Sequence, residues 1–268
     1  MKNKLVIVTG ASSGIGKACA IEFAQKGANV VLVARSQSKL EELAVQISSY
    51  GVQVLSVVAD VSREEDCKKM VEKALLKFGK IDVLVNNAGI SMRASFSDID
   101  VSVLKKVMDV NFWGTVYCTR YALASIIENK GSVVGVSSIA GYKGLPGRTG
   151  YSSSKFAMHG FLESLRLENL SHGLHVLIAC PGFTASNIRN TALTGDGTSQ
   201  GETPRDEQKM MQPEEVAAYI VNAVVKRRDR LTLTFNGKLT VLLNKFFPKW
   251  VDKLVYNHMR KEVDAPFK

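Results

Sequence analysis

Short apolar runs alternate with longer amphipathic segments along most of this chain. Seven runs rich in Val, Ile and Leu have the length of strands, and continuous apolar runs are typical of strands that are buried on both faces. The predicted strands are residues 4–8, 29–34, 53–59, 82–86, 132–137, 175–180 and 231–235. The predicted helices are residues 14–26, 38–50, 63–78, 99–129 with a break near Asn111, 150–171 and 214–227. The alternation predicts an α/β fold: a doubly wound parallel sheet of about seven strands with helices on both faces.

No interdomain linker divides residues 1–268, which we interpret as a single domain. Two stretches depart from the alternation of strands and helices. Residues 183–212 are rich in Gly, Thr and Asn and have no sustained apolar period. They follow the sixth strand, so we expect a substrate loop over the carboxyl edge of the sheet. Residues 236–268 form a C-terminal extension, in which Pro248 is expected to start a second helix.

The C-terminal extension combines apolar and basic side chains. The apolar positions at roughly helical spacing are Leu239, Leu242, Phe246, Trp250, Leu254 and Tyr256, and the basic positions between them are Lys245, Lys249, Lys253 and Arg260. Between residues 226 and 268 there are 11 Lys or Arg and 4 Asp or Glu, a net of +7 out of +10 for the whole chain. Such a segment can lie on a membrane interface, cover a substrate cleft or form a subunit contact. It lacks the aromatic platform of a single-stranded nucleic-acid site, so no nucleic acid is expected.

Several classes of protein are excluded by what the sequence lacks. No segment reaches the roughly 18 uninterrupted apolar residues of a membrane-spanning helix. Residues 1–10 contain too short an apolar run for a signal-peptide core, so a cytoplasmic protein is expected, with membrane association through the extension left open. The four cysteines are far apart and the four histidines form no metal-binding pattern, which predicts buried thiols and no metal site.

A glycine-rich run, TGASSGIG, occupies residues 9–16 between the first strand and the first helix. In that position Gly10, Gly14 and Gly16 allow a tight turn and the approach of a diphosphate to the helix N-terminus. The alternative is a loop whose glycines serve only the turn. The second strand ends in Ala34, Arg35 and Ser36 rather than in an acidic residue, which favours NADP(H) over NAD(H), unless Arg35 lies in solvent.

Tyr151 and Lys155 are four residues apart on a predicted helix and therefore share one face. We expect the Lys155 ammonium to lower the pKa of the Tyr151 phenol, which would make the phenol a general acid or base. Ser138 precedes them across a glycine-rich loop that can return the chain to the same sheet edge. Taken alone, each of these residues also occurs by chance in strands and helices without such chemistry.

The complete set of motifs resembles the short-chain dehydrogenase/reductase family over residues 4–235. The motifs are TGASSGIG, NNAG at 86–89, Asn111, Ser138, YSSSK at 151–155 and PGF at 181–183. The resemblance implies a Rossmann-type subunit that transfers hydride between a nicotinamide and a carbonyl or alcohol carbon. It implies that Tyr151 exchanges the proton, Ser138 binds the substrate oxygen, Lys155 binds the nicotinamide ribose, and Asn111 fixes a helix break and positions a water.

The resemblance also implies which residues contact the cofactor. These are Gly10, Ser12, Ser13, Gly14, Ile15, Gly16, Arg35, Ser36, Asp60, Val61, Asn87, Ala88, Gly89, Tyr151, Lys155, Pro181, Gly182, Thr184 and Ser186. Ser186 stands where the family often has threonine, and the exchange keeps a hydroxyl group.

The function expected from these residues is an NADP(H)-dependent oxidoreductase of a small carbonyl or alcohol. The extension resembles that of family members that act on lipid-like or steroid-like ketones, so a lipophilic substrate is expected. One alternative is a reductase of β-ketoacyl groups on an acidic carrier protein, and another is a non-catalytic NADP(H)-binding sensor or scaffold. The resemblance also implies a homodimer or homotetramer built partly from the helices near 111–129 and 150–171.

Overall fold

The elements of the fold follow the predicted alternation of strands and helices. A computed structural model gives the structure of residues 1–203 and 210–267. The strands are β1 (Leu5–Thr9), β2 (Asn29–Ala34), β3 (Val54–Val58), β4 (Val83–Asn86), β5 (Ser132–Val136), β6 (His175–Cys180) and β7 (Arg230–Thr232). The helices are α1 (Gly14–Gln25), α2 (Gln37–Ser48), α3 (Glu64–Phe78), α4 (Val101–Met108), α5 (Gly114–Glu128), α6 (Thr149–Glu168), α7 (Pro213–Val225), α8 (Phe235–Phe246) and α9 (Pro248–Met259).

The seven strands form one parallel sheet in the order β3-β2-β1-β4-β5-β6-β7. Val6 and Val8 of β1 pack with α1, α2 and α7 on one face of the sheet. Leu5 and Ile7 alternate with them and pack with α3, α5 and α6 on the other face. The predicted doubly wound sheet is therefore confirmed. Its strand order reverses between β1 and β4, and a crevice opens at the carboxyl ends of the strands at such a point.

The predicted helix at 99–129 is interrupted, as expected near Asn111. A π-helical turn, Asp109–Trp113, separates α4 from α5 and contains Asn111. An extra residue in a helical turn shifts the following side chains around the axis, and such turns are frequent at functional sites. The interruption thus changes the direction in which Asn111 presents its side chain.

The prediction that the seventh strand reaches residue 235 is wrong. The strand ends at Thr232, and α8 begins at Phe235. Thr234 has a φ of +62°, which turns the chain out of the sheet. Its hydroxyl accepts a hydrogen bond from the Gly237 amide at 3.1 Å and so caps the helix that follows. The alternating Leu and Thr residues of 231–235 predicted a strand, whereas a cap and a turn end it early.

The C-terminal extension contains the two predicted helices, and Pro248 occupies the first turn of the second one. The Lys143 ammonium lies 2.5 Å from the Asp252 carboxylate of α9. Beyond α9 the chain returns to the domain, where Ser95 donates a hydrogen bond to the carbonyl of Pro266. The extension is therefore packed against the domain at both α9 and the residues after it.

The predicted substrate loop, 183–212, includes residues 204–209, which lie outside the described residues. Within the rest, Thr184 forms an isolated bridge with Met211, and Leu193 forms one with Met92. Neither described range contains a helix long and apolar enough to cross a membrane. All four cysteines are buried free thiols, as predicted.

Candidate active site

A cleft of about 560 Å³ lies at the carboxyl edge of the sheet. Most of the residues predicted to bind the cofactor or to act in catalysis line it. They are Gly10, Ser12, Ser13, Gly14, Ile15, Arg35, Asp60, Val61, Asn87, Ala88, Gly89, Ser138, Tyr151, Lys155, Pro181, Gly182, Thr184 and Ser186. Three others, Gly16, Ser36 and Asn111, do not line the cleft. Of these, Gly16 and Asn111 contact residues that form the cleft, as described below.

The glycine turn is built by close packing between β1 and the segment after β4. Gly10 has a φ of +66°, and a Cβ there would lie 2.8 Å from the Asn87 Nδ2. A Cβ on Gly16 would lie only 2.2 Å from the Gly10 carbonyl oxygen. No side chain larger than hydrogen fits at either position without displacing backbone. Gly16 is therefore required for the packing of α1 against the turn, and its contact with a cofactor stays a prediction.

Thr9 connects the glycine turn to the NNAG segment, a role that the sequence analysis missed. Its hydroxyl oxygen accepts hydrogen bonds from the backbone amides of Asn87 and Ala88, both at 3.0 Å. The Asn87 side chain returns a hydrogen bond to the Thr9 carbonyl at 2.9 Å. A buried hydroxyl at the end of the first strand, directly before the motif glycine, is the signal that could have identified it. These bonds hold the two strand ends at a fixed separation.

The N-terminus of α1 fits the diphosphate of a dinucleotide. No side chain caps the helix, and its first turn has no acidic residue. The first amides of a helix have no intrahelical acceptor and carry a partial positive charge, so they favour an anion. Ser12 and Ser13 add hydroxyl groups at the same part of the cleft. The residues present can therefore hold a dinucleotide at this end.

At the end of the cleft formed by β2 and β3, Asp60 is held in its ionised form. Burial raises the pKa of its carboxyl, but the hydroxyl and amide of Ser62 and the charges of Arg35 and Arg63 outweigh it, so the pKa is lowered. The Ser62 hydroxyl donates to Asp60 at 2.7 Å. Arg35 is exposed and lines the cleft, so its guanidinium is accessible to a ligand at this end.

Tyr151 and Ser138 meet at the centre of the cleft. Tyr151 lies in the first turn of α6, and Ser138 lies two residues beyond the end of β5. Burial raises the pKa of the Tyr151 phenol, whereas hydrogen bonding with Ser138 and the charge of Arg148 lower it, and burial has the larger effect. The predicted lowering of this pKa by Lys155 is therefore wrong for the protein alone, because removing the phenolate from water outweighs the nearby charges.

Lys155 is fixed to the sheet. Its Nζ donates to the carbonyl of Val136 at 3.0 Å and lies 5.6 Å from the centre of the Tyr151 ring. Burial lowers the pKa of Lys155 to about 8, because the ammonium loses its hydration. The expected proximity of the two side chains on one helix face is present.

Asn111 is fully buried and holds three groups at once. Its Oδ1 accepts from the Ile90 amide at 2.8 Å, and its Nδ2 donates to the Ile90 carbonyl at 2.9 Å. The same Nδ2 donates to the Ser154 hydroxyl at 2.9 Å. Asn111 thus joins the π-helical turn to the strand-end loop and to α6, while its role in positioning a water stays a prediction.

His159 lies one turn further along α6 than Lys155 and was not identified from the sequence. Its Nε2 is 2.7 Å from the Ser137 hydroxyl, and its ring makes an edge contact with Tyr142 at 4.6 Å between centroids. Burial, together with the charges of Lys155 and Arg230, lowers the pKa of His159 to about 4. A neutral imidazole therefore supports the segment that carries Ser138.

The other end of the cleft has a mixed lining that motif analysis could not identify. Its residues come from the loop after β5, from the substrate loop and from the C-terminal extension: Leu145, Arg148, Phe183, Leu193, Met259 and Glu262. The extension, about 110 residues after Tyr151, therefore forms a wall of the same cleft. This lining is compatible with one of the three roles expected for the extension, the covering of the cleft, which stays a prediction.

Comparison with known proteins gives consistent results. The sequence model of the family described as short chain dehydrogenase matches residues 4–196. Dehydrogenase/reductase SDR family member 7B of Mus musculus is 35% identical over 268 residues, which cover 98% of this chain and 83% of that protein. 11-beta-hydroxysteroid dehydrogenase 1A of Arabidopsis thaliana is 36% identical over 264 residues, covering 94% of this chain and 75% of that protein.

The fold is also similar to that of a solved structure. An alcohol dehydrogenase from the archaeon Thermococcus sibiricus, complexed with 5-hydroxy-NADP, superposes with a TM-score of 0.73 at 26% identity. The match covers 85% of this chain and 93% of that one. Sequence and fold agree with the motifs, and the chain therefore belongs to the short-chain dehydrogenase family of nicotinamide-dependent oxidoreductases.

Proposed function

We propose that the protein is an NADP(H)-dependent oxidoreductase that interconverts a carbonyl group and a secondary alcohol on a small, lipophilic molecule. The observation that carries this proposal is the meeting of Tyr151 and Ser138, with Lys155 at 5.6 Å from the tyrosine ring, in the cleft that begins at the glycine turn. A proton donor, an oxygen-binding hydroxyl and a cation thus face one ligand space.

The nicotinamide supplies or removes hydride when it is bound. In reduction, Tyr151 gives its phenolic proton to the substrate oxygen, and the Ser138 hydroxyl donates a hydrogen bond to the charge that develops there. Lys155 would hold the ribose hydroxyls of a bound cofactor and would stabilise the phenolate that Tyr151 becomes. Burial raises the Tyr151 pKa, and the hydrogen bond with Ser138 and the charge of Arg148 act in the opposite direction.

Arg35 is the main support for NADP(H). Its guanidinium is exposed at the cleft end formed by β2 and β3, where a 2′-phosphate would pair with it in two-pronged geometry. Ala34 and Ser36, beside it, bring no carboxylate that would repel a phosphate. The matching archaeal alcohol dehydrogenase, which was solved with 5-hydroxy-NADP, supports the same choice.

A lipophilic substrate is supported by the lining of the cleft and by the relatives. Leu145, Phe183, Leu193 and Met259 contribute apolar surface to its substrate end. The plant relatives are 11-beta-hydroxysteroid dehydrogenases, which favours a steroid-like ketone or a keto-lipid of similar size.

A screen of NADPH oxidation over ketones of graded size and hydrophobicity tests this function. The set includes a steroid ketone, a long-chain keto-lipid, a small polar ketone and a β-ketoacyl thioester on a carrier protein. Turnover that rises with hydrophobicity supports the proposal, whereas turnover of the carrier-bound thioester alone supports the carrier-protein alternative. NADPH binding without turnover of any ketone would instead favour a non-catalytic sensor.

We also propose that α8 and α9 contact a membrane surface. Several of their apolar side chains are exposed, among them Phe246 at 69%, Phe247 at 59% and Trp250 at 52%, and lysines flank them. An apolar face with neighbouring cations suits the interface of an anionic bilayer. Co-sedimentation with phosphatidylserine vesicles tests it: Phe246→Ser with Trp250→Ser should reduce pelleting, and equal pelleting would contradict it.

A homodimer or homotetramer is proposed on exposed apolar side chains of the π-helical turn and α6. Trp113 is 43% exposed and Phe156 is 46% exposed. Light scattering of the protein and of a Phe156→Glu variant tests this arrangement, because a charge in a buried contact should shift the mass toward that of one chain.

A further inference from the structure

Glu262, in the C-terminal extension, places a carboxylate among two arginines at the substrate end of the cleft. Its Oε2 lies 3.5 Å from the Arg148 Nη2 and 3.7 Å from the Arg93 Nε. The side chains are largely withdrawn from solvent, with exposed fractions of 6% for Glu262, 13% for Arg148 and 9% for Arg93. A single carboxylate oxygen thus contacts two guanidinium groups away from bulk water.

The backbone that follows Glu262 is held to the domain by hydrogen bonds. Arg93 also donates to the carbonyl of Val263, and Ser95 donates to the carbonyl of Pro266. A Cβ on Gly147, the residue before Arg148, would lie 2.8 Å from the ring of Pro266. The position of the carboxylate is therefore set by packing and by hydrogen bonds of the chain that carries it.

Glu262 and Arg148 belong to the ligand space itself. Both line the cleft that Tyr151 and Ser138 line. Arg148 immediately precedes α6, three residues before Tyr151, and its charge acts on the Tyr151 phenol. A substrate whose carbonyl reaches Tyr151 consequently extends past a guanidinium and a carboxylate that are already paired.

The balance of charges at the substrate end of the cleft affects whether charged or uncharged substrates bind there. A partly buried guanidinium without a partner is strongly unfavourable, so it attracts any anion that reaches it. Glu262 occupies the place that a substrate anion would take beside Arg148, which is the arginine of the pair that lines the cleft. We propose that Glu262 is a specificity-determining residue: its carboxylate offsets one of the two positive charges and pairs with the guanidinium that lines the cleft, so that the cleft selects uncharged carbonyl substrates over carboxylate-bearing ones. The inference rests on the proposed function for its substrate class.

A matched pair of ketones tests the inference: 4-acetylbenzoate, an anion, and its neutral methyl ester. Their affinities are measured calorimetrically in the presence of NADP⁺, so that no turnover is needed. Glu262→Gln should shift the affinity ratio toward 4-acetylbenzoate by about tenfold, which corresponds to about 1.4 kcal/mol. Asp252→Asn is the matched control, because it removes an ion pair between the same extension and Lys143 outside this cleft. It should leave the ratio within about twofold.

A second variant, Arg148→Gln, removes a positive charge instead of a negative one and keeps the inference testable if the first variant does not fold. If Glu262→Gln loses its cooperative thermal transition, Arg148→Gln carries the test, because it should shift the ratio toward the methyl ester by several-fold. An unchanged ratio in a folded Glu262→Gln variant, or in Arg148→Gln, would overturn the inference. Because binding is measured apart from turnover, a shifted ratio in a protein that reduces neither ketone would leave charge selection standing and count against the proposed reaction.

Discussion

The Nδ2 of Asn111 donates a hydrogen bond to the Ser154 hydroxyl at 2.9 Å, and both side chains are fully buried. Ser154 in turn donates to the carbonyl of Tyr151 at 2.7 Å. The π-helical turn is therefore bonded to the helix that carries Tyr151 and Lys155. The position of the proposed proton donor depends on an amide 40 residues earlier in the chain.

Replacing Asn111 with Leu should destabilise the protein and reduce its activity together. The change removes the side-chain partner of the Ile90 amide and carbonyl and one of the two hydrogen bonds of the Ser154 hydroxyl. Buried groups left without partners lower the free energy of unfolding by about 1–3 kcal/mol each, so a loss of about 3 kcal/mol or more is expected. Urea unfolding measures it. Asn129→Ala, which removes one hydrogen bond at the end of α5, should have a much smaller effect.

Tyr151→Phe should nearly abolish hydride transfer while the protein still binds the cofactor. Loss of a general acid lowers kcat by about 10²- to 10⁴-fold. Steady-state rates with an accepted ketone and NADPH measure the change. Tyr142→Phe removes a phenol that lies outside the cleft and should retain most of the activity. A kcat of Tyr151→Phe within tenfold of the parent value would refute the proposed role.

Arg35→Asp should reverse the preference between NADPH and NADH. The carboxylate repels a 2′-phosphate and accepts hydrogen bonds from a 2′-hydroxyl, so the KM for NADPH should rise by about tenfold or more. Arg63→Asp is the matched control, since its charge also acts on Asp60 but its side chain does not line the cleft. Unchanged preference in Arg35→Asp would contradict the choice of NADP(H).

Gly16→Ala should damage the nucleotide end of the cleft. The new methyl group would lie 2.2 Å from the Gly10 carbonyl oxygen and 2.4 Å from the Asn87 Nδ2, so the turn must move. We expect a lower melting temperature and weaker binding of NADPH, measured by calorimetry. Gly160→Ala, in α6 with open space around its Cβ position, should instead stabilise the protein by about 0.5–1 kcal/mol. Equal stability of the two variants would contradict the packing role of Gly16.

His159 should make the protein less stable as the pH falls from about 6.5 to about 4. Its pKa is about 4 in the folded state, whereas the ordinary value is 6.5, so the unfolded chain binds more protons in this interval. Stability therefore rises with pH there, by at most about 3 kcal/mol over the interval. Urea unfolding at several pH values measures the slope. His159→Gln should flatten it and the exposed His172→Gln should not, and identical slopes for all three proteins would contradict the assignment.

Much of the fold could be predicted from local pattern. Five of the seven apolar runs, β1, β2, β4, β5 and β6, are buried on both faces, so these strands could be predicted without knowledge of their neighbours. The glycine run and the four-residue spacing of Tyr151 and Lys155 are equally local, and both motifs line the cleft. The one strand that was misjudged, β7, ends where the positive φ of Thr234 turns the chain, and the residue types there predict no such turn.

The direction of the Tyr151 pKa could not be predicted from spacing. The sequence places a cation one helical turn away, but it does not give the extent of burial, which raises the pKa more than the neighbouring groups lower it. Gly16 illustrates the same limit. Its motif indicates a ligand but does not show that the position also packs closely against Gly10 and Asn87.

The sequence by itself determined the family, the parallel sheet and the identity of the residues with reactive side chains, because each of these depends on local periodicity or spacing. Tertiary structure alone decided that Glu262 meets Arg148 and that Asn111 meets Ser154. Contacts between residues so far apart in the chain follow from how helices pack on the sheet and where the extension returns to it. The role of the Glu262 carboxylate or of the Asn111 amide depends on the partner that packing places beside it, and the local sequence pattern does not predict that partner.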